Sequence, residues 1–398
     1  MSFVIFFLFL FPFLFFSFLQ DFRPEDHGLK PDFHLVDQAD LKGCGCKVPQ
    51  QDLLRLLEGF GSGHIGMDSS IMPTKFPDLK LVQTTDFFYP LVDDPYTQGR
   101  IACANVLSDL YAMGVSDCDN MLMLLALSRN MTKEDRATVG ALMISGFNDL
   151  AAEAGCLVTG GQTVVNPWFI IGGVASSVVR ESEIILPVSA VPGDVLVLTK
   201  PLGTQVSVNA HQWLHQPAKW ENMSGIITEE DARNAYLTSC VSMSRLNKTA
   251  AKLMHRHGAH AATDVTGFGI LGHAQNLCGN QKELVDFEIH TLPLIPKTRE
   301  VNAKANFKLM DGLSAETSGG LLVCLPADKA QAFCDDILKE EGFPAWIVGR
   351  VIEGVVLSLS FFCFVSGGLI LVSLAGQKKA RIIENPTVIE VEYQHQRQ

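Results

Sequence analysis

The chain reads as a two-domain α/β protein. Short apolar runs alternate with segments of helical period, glycines and prolines punctuate the junctions, and 398 residues with 47% hydrophobic content exceed the needs of one small domain. Leu53 to Leu57 has a helical pattern. Leu81 to Asp86 is an apolar run ending in polar residues, after which Pro90 and Asp93-Asp94-Pro95 mark a loop. Ile101 to Met113 carries apolar residues at helical spacing and stops at Gly114, a favourable C-terminal cap. Met121 to Leu127 predicts a buried strand, and Thr138 to Ala154 a helix ended by Gly155. Leu157-Val158-Thr159 leads into Gly160-Gly161-Gln162-Thr163, followed by two strands, Trp168 to Ile171 and Ala175 to Val179.

The turn Val191-Pro192-Gly193-Asp194 marks a boundary between domains at 33–192 and 193–391, with residues 1–32 an apolar run plus linker outside the fold and 392–398 a tail. Beyond it, Val195 to Thr199 predicts a strand, Ala250 to His255 a helix, and Ala261 to Asp264 the end of a strand. Gly267-Phe268-Gly269 opens a helix over Ile270 to Leu277. Ser318-Gly319-Gly320 leads into the strand Leu321 to Leu325, and Ala345 to Val348 forms another.

A net charge of −12 with no lysine and arginine block excludes a surface that tracks nucleic-acid phosphates. A bound polyphosphate must then be neutralised locally, for which a divalent cation held by carboxylates is the usual means. Apart from Cys44 and Cys46 the ten cysteines stand singly and none forms Cys-x-x-Cys, which argues against zinc and for a reducing, cytoplasmic setting. Two apolar stretches interrupt this pattern. Phe3 to Leu19 makes a poor signal peptide, since no Lys or Arg precedes it and no small-residue cleavage site follows. Val355 to Leu374 has the length of a spanning helix, yet it stands between a strand and a closing segment, where a span would part strand from partner. No membrane association is expected. The insert 355–374 reads as translated intron, or else as a loosely packed appendage.

The chemistry concentrates on strand ends and glycine turns. Gly43-Cys44-Gly45-Cys46-Lys47 places a thiol and an ammonium on a permissive backbone, and the nearby lysine is expected to lower the Cys44 pKa. Asp68, Asp86, Asp109 and Asp264 each lie beside apolar residues, where a carboxylate is costly unless paired or bound to a hard cation. Gly160 to Thr163 and Thr266 to Gly269 offer backbone N–H groups to phosphate. Gly61 to Gly66 satisfies G-x-G-x-x-G but follows a helical pattern rather than a strand, so it reads as a flexible loop. His255, His257 and His260 lack a Cys or carboxylate at ligand spacing and read as structural.

Longer segments resemble a known family. Leu41 to Gln50, Leu81 to Asp86, Gly99 to Gly114, Val158 to Thr163, Ala262 to Gln275 and Glu316 to Gly320 are similar to the selenophosphate synthetases, also called selenide, water dikinases, in their eukaryotic form, and the resemblance runs from about Phe33 to Val391. It implies the two-domain aminoimidazole-ribotide-synthetase-like fold, with an N-terminal dimer-forming sheet domain and a C-terminal α/β domain. It implies ATP-dependent formation of selenophosphate from selenide and water, releasing AMP and orthophosphate, with Mg2+ required and a homodimer as the working form. Carried over, Cys44 and Lys47 would be catalytic, with Cys44 at the family's cysteine or selenocysteine position. Asp68, Asp109 and Asp264 would hold the metal, and Lys47, Gly66, Met67, Asp68, Asp86, Asp109 and Gly160, Gly161, Gln162 and Thr163 would contact the nucleotide. The segment from Lys47 to Asp68 is shorter than the family's and is expected to impair closure over ATP. The alternative is a non-catalytic nucleotide-binding paralogue regulating redox or selenium metabolism.

Overall fold

The computed structural model describes residues 22–48, 50–57, 67–355, 360–365, 368–373 and 378–391. The runs Phe3 to Leu19 and Gly61 to Gly66 lie outside them. The first part contains α1 (Gln50–Leu57), β1 (Ser70–Pro73), β2 (Leu79–Phe88), α2 (Pro95–Ala112), β3 (Asn120–Ser128), α3 (Lys133–Glu153), β4 (Val158–Asn166) and β5 (Ile170–Arg180). Its five strands form one sheet in the order β1-β2-β5-β3-β4, antiparallel except for β3 with β4. After the turn in which Asp194 N donates to Val191 O come β6 (Asp194–Leu198), α4 (Thr204–Trp213), α5 (Pro217–Glu221), α6 (Glu229–Ser244), α7 (Lys248–His257) and β7 (Ala261–Asp264). The chain continues through α8 (Gly269–Asn280), β8 (Val285–Leu294), α9 (Thr298–Ala305), β9 (Leu321–Pro326), α10 (Ala327–Glu341), β10 (Trp346–Glu353) and β13 (Ala380–Glu390), with β11 (Ser360–Val365) and β12 (Gly368–Ser373) before the last. The second sheet has the order β13-β8-β10-β6-β9-β7.

Helix α2 joins the two halves. Asp94 caps its start by accepting from Tyr96 N and Thr97 N, with Pro95 as its first residue, and Gly114 in the left-handed region ends it. Nearly every residue between is buried. Ile101 and Leu107 of this helix share one core with Ala262 of β7, Leu321 and Val323 of β9 and Phe333 of α10. A second core fills the other side of the second sheet, around Leu196, Phe287 and Ile289. The opposite face of the first sheet stays open: by strand alternation Phe87, Leu122, Val164 and Val178 fall on it, at 56%, 36%, 44% and 47% exposure.

Several expectations need correction. The two strands foreseen over Trp168 to Val179 are the single strand β5. Gly172 and Gly173 do not break it, because a Cβ on Gly172 would lie 2.1 Å from Asp86 O, so glycine there permits close strand pairing. Gly160 to Thr163 is not a turn but the middle of β4, paired with Leu122 to Leu125. The described residues of the 355–374 stretch pair with each other as β11 and β12, antiparallel, in a separate two-stranded sheet. Among the described residues no helix is long and apolar enough to cross a membrane. The closing segment pairs parallel with β8, a strand that the sequence pattern does not announce.

Candidate active site

Helix α2 supplies the centre of the site. Asn105 and Asp109 are four residues apart and therefore lie on one helical face, toward β2 and β7. Strand β7 ends in Asp264, Asp68 precedes β1, and Asp86 sits on the helix-facing side of β2. Carboxylate oxygens of Asp68, Asp109 and Asp264 approach within 4.8 Å of one another. Each is anchored by a hydroxyl: Thr263 donates to Asp68 over 3.0 Å, Thr84 donates to Asp109, and Ser108 bonds Asp264.

Three carboxylates this close, Asp264 buried and Asp68 and Asp109 half-buried, repel one another. Burial and then Asp264 raise Asp68 to about 8, burial and the neighbouring aspartates raise Asp109 well above the ordinary range, and burial raises Asp264. Such a set of oxygen donors fits a hard divalent cation, which relieves the repulsion as it displaces the shared protons.

Cys44 and Lys47 close the site from the other side. The turn carrying them is a short helical turn, Cys44–Cys46, held by Cys44 N donating to Thr317 over 3.1 Å and Gly43 N donating to Tyr89 O. Asn105 links it to the carboxylates. Its Nδ2 donates to Asp86, while its Oδ1 accepts from Ser318 N at 2.9 Å and lies 3.6 Å from the Cys44 sulfur. Gly267 presses on the same turn, since a Cβ there would meet Cys44 O at 2.4 Å and Lys47 Cδ at 3.0 Å.

Lys47 does not activate Cys44 in this arrangement, contrary to expectation. Cys44 is buried, and burial together with Asp86 raises its thiol far above the ordinary value, outweighing the lowering by Lys47. Lys47 is exposed as a residue; desolvation opposes its charge, but Asp86, Cys44, Asp109 and Asp264 prevail and hold its ammonium above the usual value.

Other predicted residues stand apart. In register, Asp86 pairs with Gly173, Gly173 with Met123 and Met123 with Gly161, so three strand spacings, about 14 Å, separate Asp86 from Gly161 within one protomer. Gly160, Gly161, Gln162 and Thr163 are exposed at the sheet edge. Met67 packs half-buried against the first core, and Gly66 lies outside the described residues. The start of α8 is not a free anion site: Phe268 N donates to His273 Nε2, Gly269 N to Thr266 O and Leu271 N to Gly312 O. His255, His257 and His260 bond Gly114 O, Asp336 and Asp194, which is the structural role foreseen.

Sequence reasoning passed over Asn105, Thr84, Thr263, Thr317 and Ser318. Asn105 carried a signal in its i, i+4 spacing to Asp109. Ser318 did not, for its role depends on a positive φ of 47° and on Lys200, a buried lysine that donates to Ser318 O at 2.9 Å and Arg245 O at 2.6 Å. Glu316 is also buried and accepts from Gly203 N at 2.7 Å and Thr204 N at 2.9 Å, capping α4.

Comparison with known proteins adds to this geometry. The family model for the AIR synthase related protein, N-terminal domain, matches residues 66–179, and that for the C-terminal domain matches residues 191–361. The chain is 55% identical over 360 residues to the selenide, water dikinase of Dictyostelium discoideum, covering 90% of this chain and 94% of that one. It is 50% identical to selenide, water dikinase 2 of Mus musculus, with 94% and 87% covered. Among solved structures, AaThiL complexed with AMPPCP and TMP superposes with a TM-score of 0.57 at 19% identity, over 78% of this chain and 94% of that one, a likeness of fold.

Proposed function

The chain belongs to the selenide, water dikinase family, and we propose that Cys44, Lys47 and the aspartate cluster are the means by which it makes selenophosphate from selenide, ATP and water, releasing AMP and orthophosphate. The observation that carries the assignment of residues is the meeting of Asp68, Asp109 and Asp264 within 4.8 Å, beside Asp86, whose charge acts on Asp109 and Asp264 and which Asn105 joins to the Cys44 sulfur. The non-catalytic alternative is not favoured, since the named relatives at about half identity are dikinases.

In this reading Asp68, Asp109 and Asp264 hold Mg2+, which when bound offsets the charge of the triphosphate and of the phosphoryl group in transfer. Lys47 sets a point charge against a phosphate oxygen. Asn105 orients Asp86, and Asp86 holds Lys47 in its charged form. Cys44 rests as a neutral thiol and meets the selenium species when the Gly43–Lys47 turn lifts from Thr317.

Gly160 to Thr163 contact the nucleotide in this proposal from a second copy of the chain. They lie about 14 Å from Asp86 in their own protomer, on the exposed edge strand, and the open apolar face of the same sheet is the surface on which a second copy would pack. Nine of the cysteines are free, which supports a cytoplasmic location.

Selenide-dependent AMP release from the purified chain tests the assignment. Cys44→Ser is expected to abolish that release while ATP still binds. Undiminished selenophosphate formation by the variant removes Cys44 from the reaction.

A further inference from the structure

The sulfurs of Cys118 and Cys156 lie 3.2 Å apart although 38 residues separate them in the chain. Cys118 stands two residues before β3 and Cys156 two residues before β4. These strands run parallel, so both thiols gather at the same end of neighbouring strands. The backbone holds them there: Met121 N donates to Leu157 O, Cys156 N to Ala151 O and Asp119 N to Ser176 O. Both residues are buried, at 6% and 3% exposure, and neither belongs to the aspartate cluster.

The spacing decides what such a pair can take. Two thiolates on one tetrahedral zinc, with bonds of about 2.3 Å, sit roughly 3.8 Å apart. The observed separation is shorter, and among the described residues no third His, Cys or carboxylate completes a metal group with them. Two thiols in near contact are instead set for a bond between the sulfurs. The Cys156 thiol donates to Cys118, and that bond favours the Cys118 thiolate, the form that attacks an oxidant.

We propose that Cys118 and Cys156 are a dithiol site that forms a reversible disulfide with a two-electron thiol oxidant, hydrogen peroxide or a disulfide of the glutathione type. With peroxide, the Cys118 thiolate attacks one oxygen, the O–O bond breaks, and sulfenic acid and hydroxide form. The Cys156 sulfur then attacks Cys118, the S–O bond breaks, and the sulfenic hydroxyl leaves as water with the Cys156 proton, while the proton given up by Cys118 turns the first hydroxide into water. One peroxide becomes two waters, and the sulfurs lose two electrons. A dithiol reductant reverses the step. The product clips the entry of β4, the edge strand that bears Gly160 to Thr163, to the entry of β3.

The test is a peptide map of the full chain treated with peroxide or with glutathione disulfide, blocked with N-ethylmaleimide and digested without reductant. A peptide pair joining Cys118 to Cys156, about 2 Da below the sum of the two thiol peptides and abolished by dithiothreitol, is expected. So is a rise of about 5 °C in Tm for the oxidised chain. Cys118→Ser and Cys156→Ser remove both signals and keep the Tm of the reduced chain; should either variant misfold, the map of the unaltered chain decides alone. Recovery of both cysteines as separate maleimide adducts after oxidant, or of Cys118 as a mixed disulfide or sulfinic acid without the joined pair, overturns the proposal.

Discussion

Thr263 on β7 donates its hydroxyl to Oδ1 of Asp68 over 3.0 Å, joining the second half of the molecule to the segment that enters β1. The carboxylate cluster is therefore complete only when both halves are assembled. Thr263→Val keeps the side-chain shape and removes the one hydroxyl that favours the charged form of Asp68. A hydrogen bond to a charged group contributes about 1.5 kcal/mol, so Mg2+ affinity in the presence of an ATP analogue is expected to fall about tenfold. Calorimetric titration reads this directly, and unaltered affinity would detach Thr263 from the metal site.

Asn105 makes the same kind of link one layer deeper. Asn105→Asp is nearly isosteric, but it replaces the donor to Asp86 with a second negative charge and leaves the Cys44 thiol beside a carboxylate. A loss of about 3 kcal/mol corresponds to roughly 100-fold in rate. Selenide-dependent AMP release at saturating Mg2+ should fall by that order, and a change under threefold would show that Asp86 does not need Asn105.

Gly267 tests whether the Cys44 turn must sit where it does. Its missing Cβ is the space into which Cys44 O and the Lys47 stem fit. Gly267→Ala is expected to displace the turn and lower kcat about tenfold or more, with Tm changed by only about 3 °C, since the displaced turn has an open side. Full kcat with a displaced or undisplaced turn would deny that its placement matters.

The C-terminal end of α2 could be read directly at Gly114, whereas Asp94-Pro95 read as loop, although Asp94 caps the helix and Pro95 is its first residue. The aspartates could be nominated singly, as acids beside apolar residues. Their convergence could not, since it depends on α2 packing against β7 and on β7 pairing with β9, contacts between residues far apart in the chain with no local period. Strand β8 was hidden by Asp286 and Glu288, which break the apolar pattern but are satisfied by Arg350 and Arg381 from its two neighbours. Helix α6 went unread, although Thr228 and Asp231 form a capping box at its start. Gly160-Gly161 looked like a turn because an exposed edge strand lacks the apolar alternation that betrays a strand.

Glu316 gives the last prediction, on pH. Its carboxylate is buried at the start of α4, and burial raises it to about 7 despite the bonds from Thr204 and Gly203. A carboxyl whose folded value lies above its unfolded value of 4.5 holds its proton more tightly in the folded state. Its contribution to stability is thus complete below pH 4.5 and is lost as pH rises through about 7. That difference amounts to about 3 kcal/mol. Glu316→Gln cannot titrate and keeps one acceptor for the helix start. Denaturant unfolding from pH 5 to 8 should therefore show the unaltered chain losing stability relative to the variant as pH rises. Parallel curves over that range would mean that Glu316 stays ionised throughout, held by its cap bonds.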